Sequence, residues 1–395
     1  MKKIIKGITP IVLVLILNIP IVNADDMIGI IDEKNTHEIQ LVIDKVKSDG
    51  LEYQENEEAG LLTYEEAIEK ALNHSYEFKT QLEEIEKLKI LRSEAGDAMG
   101  GSYPSGTGNG EDDAARLNRL KKLKSAVNSL TIAEKQREIM KENIGFEVKN
   151  AISEINQRLN ERELMNLELQ NAKIKLEMAR AKERKGLLSK YDLEKEEDTY
   201  HKQIKEKEML EKTIETAYTK LNSLIGFGEG EAYSLEDTTQ YEPLENKDVD
   251  HLVIKVINES PTIWNQEKKI EMAELDLSLY VYNAGGDPYE VKKIDLRQEK
   301  YNLANLKLSL EEFTKTIYQQ IQQLEKSYEL LEANLKSAER NLELVRAKYD
   351  AGMTTDMQMI EEELAVEQIK HEMKKKAMEH AKSKELLYNP HLTGK

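Results

Sequence analysis

From residue 313 onward the sequence keeps one beat: Phe313, Ile317, Ile321, Leu324, Tyr328, Leu331, Leu335, Ala338, Leu342, Val345, Tyr349. Steps of four and three put all of these on one face of a helix, and a stripe this long makes a helix coil around neighbours rather than join a compact globule. A looser version runs through Leu117, Leu120, Leu123, Val127 and Leu130, and again through Met140, Ile144, Val148, Ile152, Ile155 and Leu159. The stretch from Asp112 to Arg184 has no breaker strong enough to stop a helix. At 1.5 Å per residue it predicts a rod of about 110 Å.

The halves of the chain repeat each other. Arg180-Ala181-Lys182 precedes Gly186 as Arg346-Ala347-Lys348 precedes Gly352, and at the same offset Ile155, Gln157, Leu164, Leu169, Ala172, Leu176, Glu177, Glu196 and Glu197 recur. Upstream, Lys70, Asn73, Ser75, Gln81, Ile85 and Glu86 match Lys255, Asn258, Ser260, Gln266, Ile270 and Glu271 at a larger offset. The mismatch belongs between the first and second helices of each repeat, where the first copy has the Gly/Ser/Asn/Asp-rich segment Met99 to Asp113, read as a loop or linker. Each repeat is expected to be a medium helix, a turn, a very long helix, a glycine turn and another medium helix. The fold class is all-α.

Ahead of the repeats, a basic start (Lys2, Lys3, Lys6), an apolar run to Ile21 and Val22-Asn23-Ala24 read as a cleaved secretory signal peptide. An uncleaved anchor is the weaker reading, because the core is short and holds Pro10, Asn18 and Pro20. The expected divisions are 1–24 signal peptide, 25–60 N-terminal segment, 61–246 first repeat, 247–388 second repeat and 389–395 tail. No later segment is apolar enough to span a membrane as a helix.

Composition narrows the function. There is no cysteine, hence no disulfide, thiolate metal site or lipid-modified cysteine. The 57 Lys+Arg against 75 Asp+Glu give −18, and loss of the three leader lysines makes that −21, which disfavours nucleic acid. Histidines 37, 74, 201, 251, 371, 380 and 391 include no pair at three or four spacing. Asp198 with His201, and Glu367 with His371, share helix faces, a pairing that arises freely on helices so rich in acid. Gly106, Gly108 and Gly110, and Gly226, Gly228 and Gly230, lack the strand-to-helix setting and the Lys-Ser or Lys-Thr of a phosphate cradle. No catalytic, metal or cofactor site is expected.

Three local signatures resemble the TolC family of bacterial envelope efflux ducts. They are "LTYEEAIEKALNHS" (Leu62 to Ser75) with "VINESP" (Val256 to Pro261); "LNSLIG" (Leu221 to Gly226); and the turns "ARAKERKGLLSKYDLEKEE" and "VRAKYDAGMTTDMQMIEEE". In that family an acidic residue stands six after the turn glycine. Asp192 satisfies this after Gly186 and Ser189; after Gly352 and Thr355 the sixth position is Gln358, with Asp356 and Glu361 nearby. The resemblance implies a homotrimer enclosing a tunnel of twelve helices, an adaptor (membrane fusion) protein and an inner-membrane transporter as partners. It further implies docking turns at Gly186, Leu187, Leu188, Ser189, Gly352, Met353, Thr354 and Thr355. A trimer would also triplicate Asp192, Asp356, Glu361 and Glu362 into an acidic entrance ring; for Asp192 and Asp356 the alternative reading is a solvated helix start. Family members insert two β-strands between the first and second helices of each repeat, and neither Met99 to Asp113 nor Gly285 to Pro288 reads as spanning strands. The expectation is a non-enzymatic envelope export component, peripheral or secreted, without its own barrel. The other reading is a secreted structural or scaffolding coiled coil.

Overall fold

The computed structural model describes residues 60–100, 110–228, 233–236, 240–245, 248–280 and 287–393. The leader, the segment to residue 59, most of the glycine-rich linker (101–109) and the last two residues of the tail lie outside the described residues. Helices hold 88% of those described. In chain order these are β1 (Gly60–Leu62), α1 (Tyr64–His74), α2 (Tyr76–Met99), α3 (Gly110–Arg184), α4 (Lys190–Ile225), β2 (Tyr233–Leu235), α5 (Val249–Glu259), α6 (Pro261–Ser278), α7 (Tyr289–Asp350), α8 (Asp356–Tyr388) and a short 3-10 turn, Pro390–Thr393. None of the described helices is long and apolar enough to cross a membrane.

The opening helix of each repeat, expected as one, is two. Ser75 and Ser260 hold extended backbone (ψ 115° and 121°), and their hydroxyls accept the N–H of Phe78 at 3.2 Å and of Ile263 at 3.4 Å. A serine so placed ends one helix and caps the next, and Pro261 suits the first helical position because that N–H has no partner in the helix. The break frees α1 to lie across both α3 and α4 while α2 runs along α3. Thr63 and Glu66 form a reciprocal capping box that starts α1.

The length mismatch between the repeats also falls elsewhere than expected. The intervals 100–109 and 279–288 are both ten residues; α2 has 24 residues against 18 in α6, and α3 has 75 against 62 in α7. The first repeat is therefore longer in helix, not in linker. Ten residues are also fewer than two membrane-crossing strands need, at about 9 to 11 each. Among the described residues the strands are β1 and β2, three residues long and paired in parallel, Gly60 beside Tyr233.

The matched residues perform matched work. Gln81 donates its side-chain amide to the Ala133 carbonyl at 2.8 Å, and Gln266 does the same to the Glu299 carbonyl at 3.0 Å, each tying the shorter helix to the long one. Ile152, Ile155 and Leu221 are buried in one core, and Tyr318, Ile321 and Leu387, at the same places in the second repeat, in another. Between the repeats the chain crosses the second core: Leu244 is buried, its N–H donates to Glu325 Oε1 at 2.6 Å, and Tyr241 stacks on Tyr328 at 3.7 Å.

The long helices form a layer in the order α4, α3, α8, α7, with each pair of neighbours in contact and no substantial contact between α4 and α7. Ion pairs mark the antiparallel runs: Glu154–Lys220 and Arg162–Glu211 join α3 to α4, and Lys149–Glu385 and Lys175–Glu361 join α3 to α8. Such exposed pairs fix register more than they add stability. The central α3 is covered on several sides. The outer half of α7 is covered along one stripe only: Leu324, Tyr328, Leu331, Leu335, Leu342, Val345 and Tyr349 are half-buried, and most positions between them are exposed.

Truncating either core at its fully buried isoleucine, Ile155→Ala or Ile321→Ala, is expected to cost about 2–5 kcal/mol, read as a lowered urea midpoint. Loss in one variant but not the other would break the equivalence of the repeats. Gly226→Ala combines a positive φ (+77°) with a Cβ that would sit 2.6 Å from His74 Nδ1, so it is expected to destabilise more than Gly186→Ala, where nothing lies within 4 Å.

Candidate functional site

Both glycine turns lie at one end of the layer. Ile174 and Met178, in the last turns of α3, pack with Met357 and Ile360, in the first turns of α8, and Lys175 pairs with Glu361 at 2.8 Å across the same junction. The ends of the α3/α4 and α7/α8 hairpins thus lie side by side, within about one helical turn of each other.

Their backbone is the same. Gly186 (φ +72°) and Gly352 (φ +68°) are left-handed. The Gly186 N–H donates to Glu183 O and the Leu187 N–H to Lys182 O; likewise Gly352 donates to Tyr349 O and Met353 to Lys348 O. This is the Schellman arrangement, which satisfies the last carbonyls of a helix and needs a residue without a Cβ at the left-handed position. The next helix then starts on a hydroxyl cap. Ser189 Oγ accepts the Asp192 N–H at 3.1 Å, and Thr355 Oγ1 accepts the Gln358 N–H at 3.4 Å.

That geometry explains the sixth residue after each glycine. It is the third residue of the new helix, where an acid or an amide can bond back to the cap. Asp192 accepts the Ser189 hydroxyl at 2.6 Å, and Gln358 is bonded to the Thr354 hydroxyl. The departure at Gln358 therefore leaves the turn intact. The hairpin is stapled further back by a pair that recurs at the repeat offset: Arg180 to Glu197 at 3.0 Å, and Arg346 to Glu363 at 3.3 Å. Hydrogen bonding to Glu197 holds the Arg180 guanidinium above its already high range.

The expected acidic residues are at this end, but most are engaged within the chain. Asp192 is bonded to Ser189 and Glu361 is paired with Lys175. Asp356 accepts the Tyr349 hydroxyl; burial, then this bond and the carboxylate's charge, push that phenol well above its ordinary range. Glu362 is half-buried. Among the described residues no group of three or more His, Cys, Asp or Glu is gathered to hold a metal ion. Gly226 ends α4 with positive φ.

What the end does present is apolar surface. Leu187 is 69% exposed and Met353 76%; Leu188 and Thr354 are half-buried, Ser189 and Thr355 exposed. Two features of this end were missed in the sequence. One is the cluster of cations around the first turn, hidden among charges everywhere. The other is the pair of uncovered edges, on which Tyr191 (75% exposed) and Leu344 (55%) stand at opposite sides of the layer.

No protein-family model matches the chain, and no curated protein matches it. Solved structures do. The outer membrane protein VceC of Vibrio cholerae superposes with a TM-score of 0.59 at 14% identity, covering 84% of this chain and 96% of that one. CusC, described for transmembrane channel formation, gives 0.58 at 13%, covering 83% and 91%. The Campylobacter jejuni CmeC outer membrane channel gives 0.52 at 11%, covering 95% and 94%. These are TolC-family channels, and at this level of identity what the chain shares with them is the fold.

Replacing Gly186 or Gly352 with Val puts a β-branched residue at positive φ, a local cost on the order of 1–3 kcal/mol. The long seams outweigh that cost, so circular dichroism is expected to keep the parent helical signal. Loss of that signal would show that the turns hold the hairpins together instead of merely reversing them.

Proposed function

We propose that this chain is a non-enzymatic wall segment of a helical duct in an envelope export system, built from several copies, with its glycine-turn end meeting partner proteins. The observation that carries the reading is the pair of open edges. Within the chain, repeat one meets repeat two through α3 and α8, where Ile174 and Met178 pack on Met357 and Ile360. Advancing the first pair by one repeat, and setting the second pair back by one, gives Arg340 and Leu344 on α7 and Tyr191 and Glu194 on α4. All four are exposed. A leucine then faces a tyrosine, and an arginine a glutamate. An interface of this head-to-tail kind closes a ring when its rotation divides a full turn, and three copies is the number the family resemblance implies.

The fold shared with VceC, CusC and CmeC supports the duct reading. An adaptor and an inner-membrane transporter are the proposed partners, with Leu187, Leu188, Met353 and the hydroxyls of Ser189, Thr354 and Thr355 as docking surface. The ten-residue intervals where family members carry barrel strands favour a duct that does not form its own membrane pore. They also keep the scaffolding coiled coil as the second reading.

Because the chain has no cysteine, the junction is open to a clean test. In a Tyr191→Cys/Leu344→Cys variant, mild oxidation is expected to give a covalent ladder ending at three chains, while Leu344→Cys alone gives none. A double variant that stays a single chain under oxidation would contradict ring closure and favour the scaffold.

A further inference from the structure

The two turns share a backbone but not a charge. Around the first stand Lys182, Arg184, Lys185 and Lys190, all exposed. Their counterparts around the second are Lys348, Asp350, Ala351 and Asp356. Cations near a helix C-terminus are favoured by its dipole, and that alone would explain Lys182 and Arg184. The second turn is the control: it forms the same Schellman bonds with Asp350 as the last residue of its helix. The fold does not require the cations, so their concentration at one turn of a chain of net charge −18 calls for a ligand.

We propose that the first glycine turn is a lipid-contact site, in which Lys182, Arg184, Lys185 and Lys190 bind the headgroups of an anionic membrane surface and Leu187 enters the layer between them. Three observations favour a lipid surface over a protein. Residues 184–187, 189 and 190 are exposed and Leu188 between them is half-buried, so the turn is a projecting end, which meets a plane of headgroups better than it fills a shaped pocket. Lys182, Arg184 and Lys185 form no ion pair among the described residues, and Lys190 reaches Glu194 only at 4.0 Å with its side chain 82% exposed. Leu187 adds the apolar side chain that interfacial contacts combine with basic residues.

The acidity of the rest of the chain does not oppose this. At physiological salt, charges farther than about 8 Å are largely screened, and most of the acid is spread along rods on the order of 100 Å long. Of the acids beside the cluster, Asp192 is turned to Ser189, Glu183 is half-buried and Glu194 reaches Lys190 only at 4.0 Å. Each cation brought to an anionic surface strengthens binding roughly fivefold. The contact is peripheral and reversible by salt. It does not rest on the partner reading of the turns, and its test uses no partner.

The purified protein is sedimented with vesicles of phosphatidylglycerol and, separately, of phosphatidylcholine. Binding to the first and not the second is expected, falling about tenfold or more when Lys182, Arg184, Lys185 and Lys190 are all changed to Gln. Leu187→Ser weakens it, and Met353→Ser at the second turn leaves it unchanged. Circular dichroism checks that the four-Gln variant is folded, as the second turn, which forms without this cation cluster, predicts. No binding to phosphatidylglycerol, or equal binding by a folded four-Gln variant, overturns the proposal; the first result leaves the basic turn to an acidic protein.

Discussion

The architecture of this molecule depends on apolar stripes that run the length of its long helices. Seam residues at steps of three and four oblige a helix to coil on a neighbour along its whole length. The central helix α3 finds neighbours on several sides. Helix α7 finds α8 along its outer half and leaves its other face to solvent. The layer thus has two open outer edges, on α4 and on α7, and because the two repeats are alike these edges are related to the surfaces that meet between α3 and α8. Whatever surface joins the first repeat to the second is offered again, unpaired, at the outer edges.

The same duplication separates structure from chemistry. Residues that recur with recurring partners belong to the architecture: Gln81 and Gln266 on long-helix carbonyls, Ser75 and Ser260 as caps, Arg180 and Arg346 on the acid of the return helix. Residues that differ at equivalent places are free of that duty. The cations of the first turn and the acids of the second stand on one backbone geometry, so their difference reports on what each turn meets.

Much of the architecture was legible in the sequence because it rests on periodicity and on glycine. The long helices, the hairpins and the shared end of the two turns all follow from the seam and from the offset of Gly186 to Gly352. The break at Ser75 and Ser260 was not legible, since a serine inside an apolar pattern reads equally as helix interior or as cap until its backbone is seen. Nor was the extra length of the first repeat, where a glycine-rich segment drew the eye although α2 and α3 hold the additional residues. At the candidate site, the turns were found and the acids placed, but partners such as Lys175 for Glu361 come from another repeat and leave no trace in local spacing.

The central claim is that one chain is a segment of a closed wall. Light scattering of the purified protein over a range of concentrations measures this most directly. A plateau at three times the chain mass is the predicted result. A mass of one chain at every concentration, with α4 and α7 still helical, would contradict it.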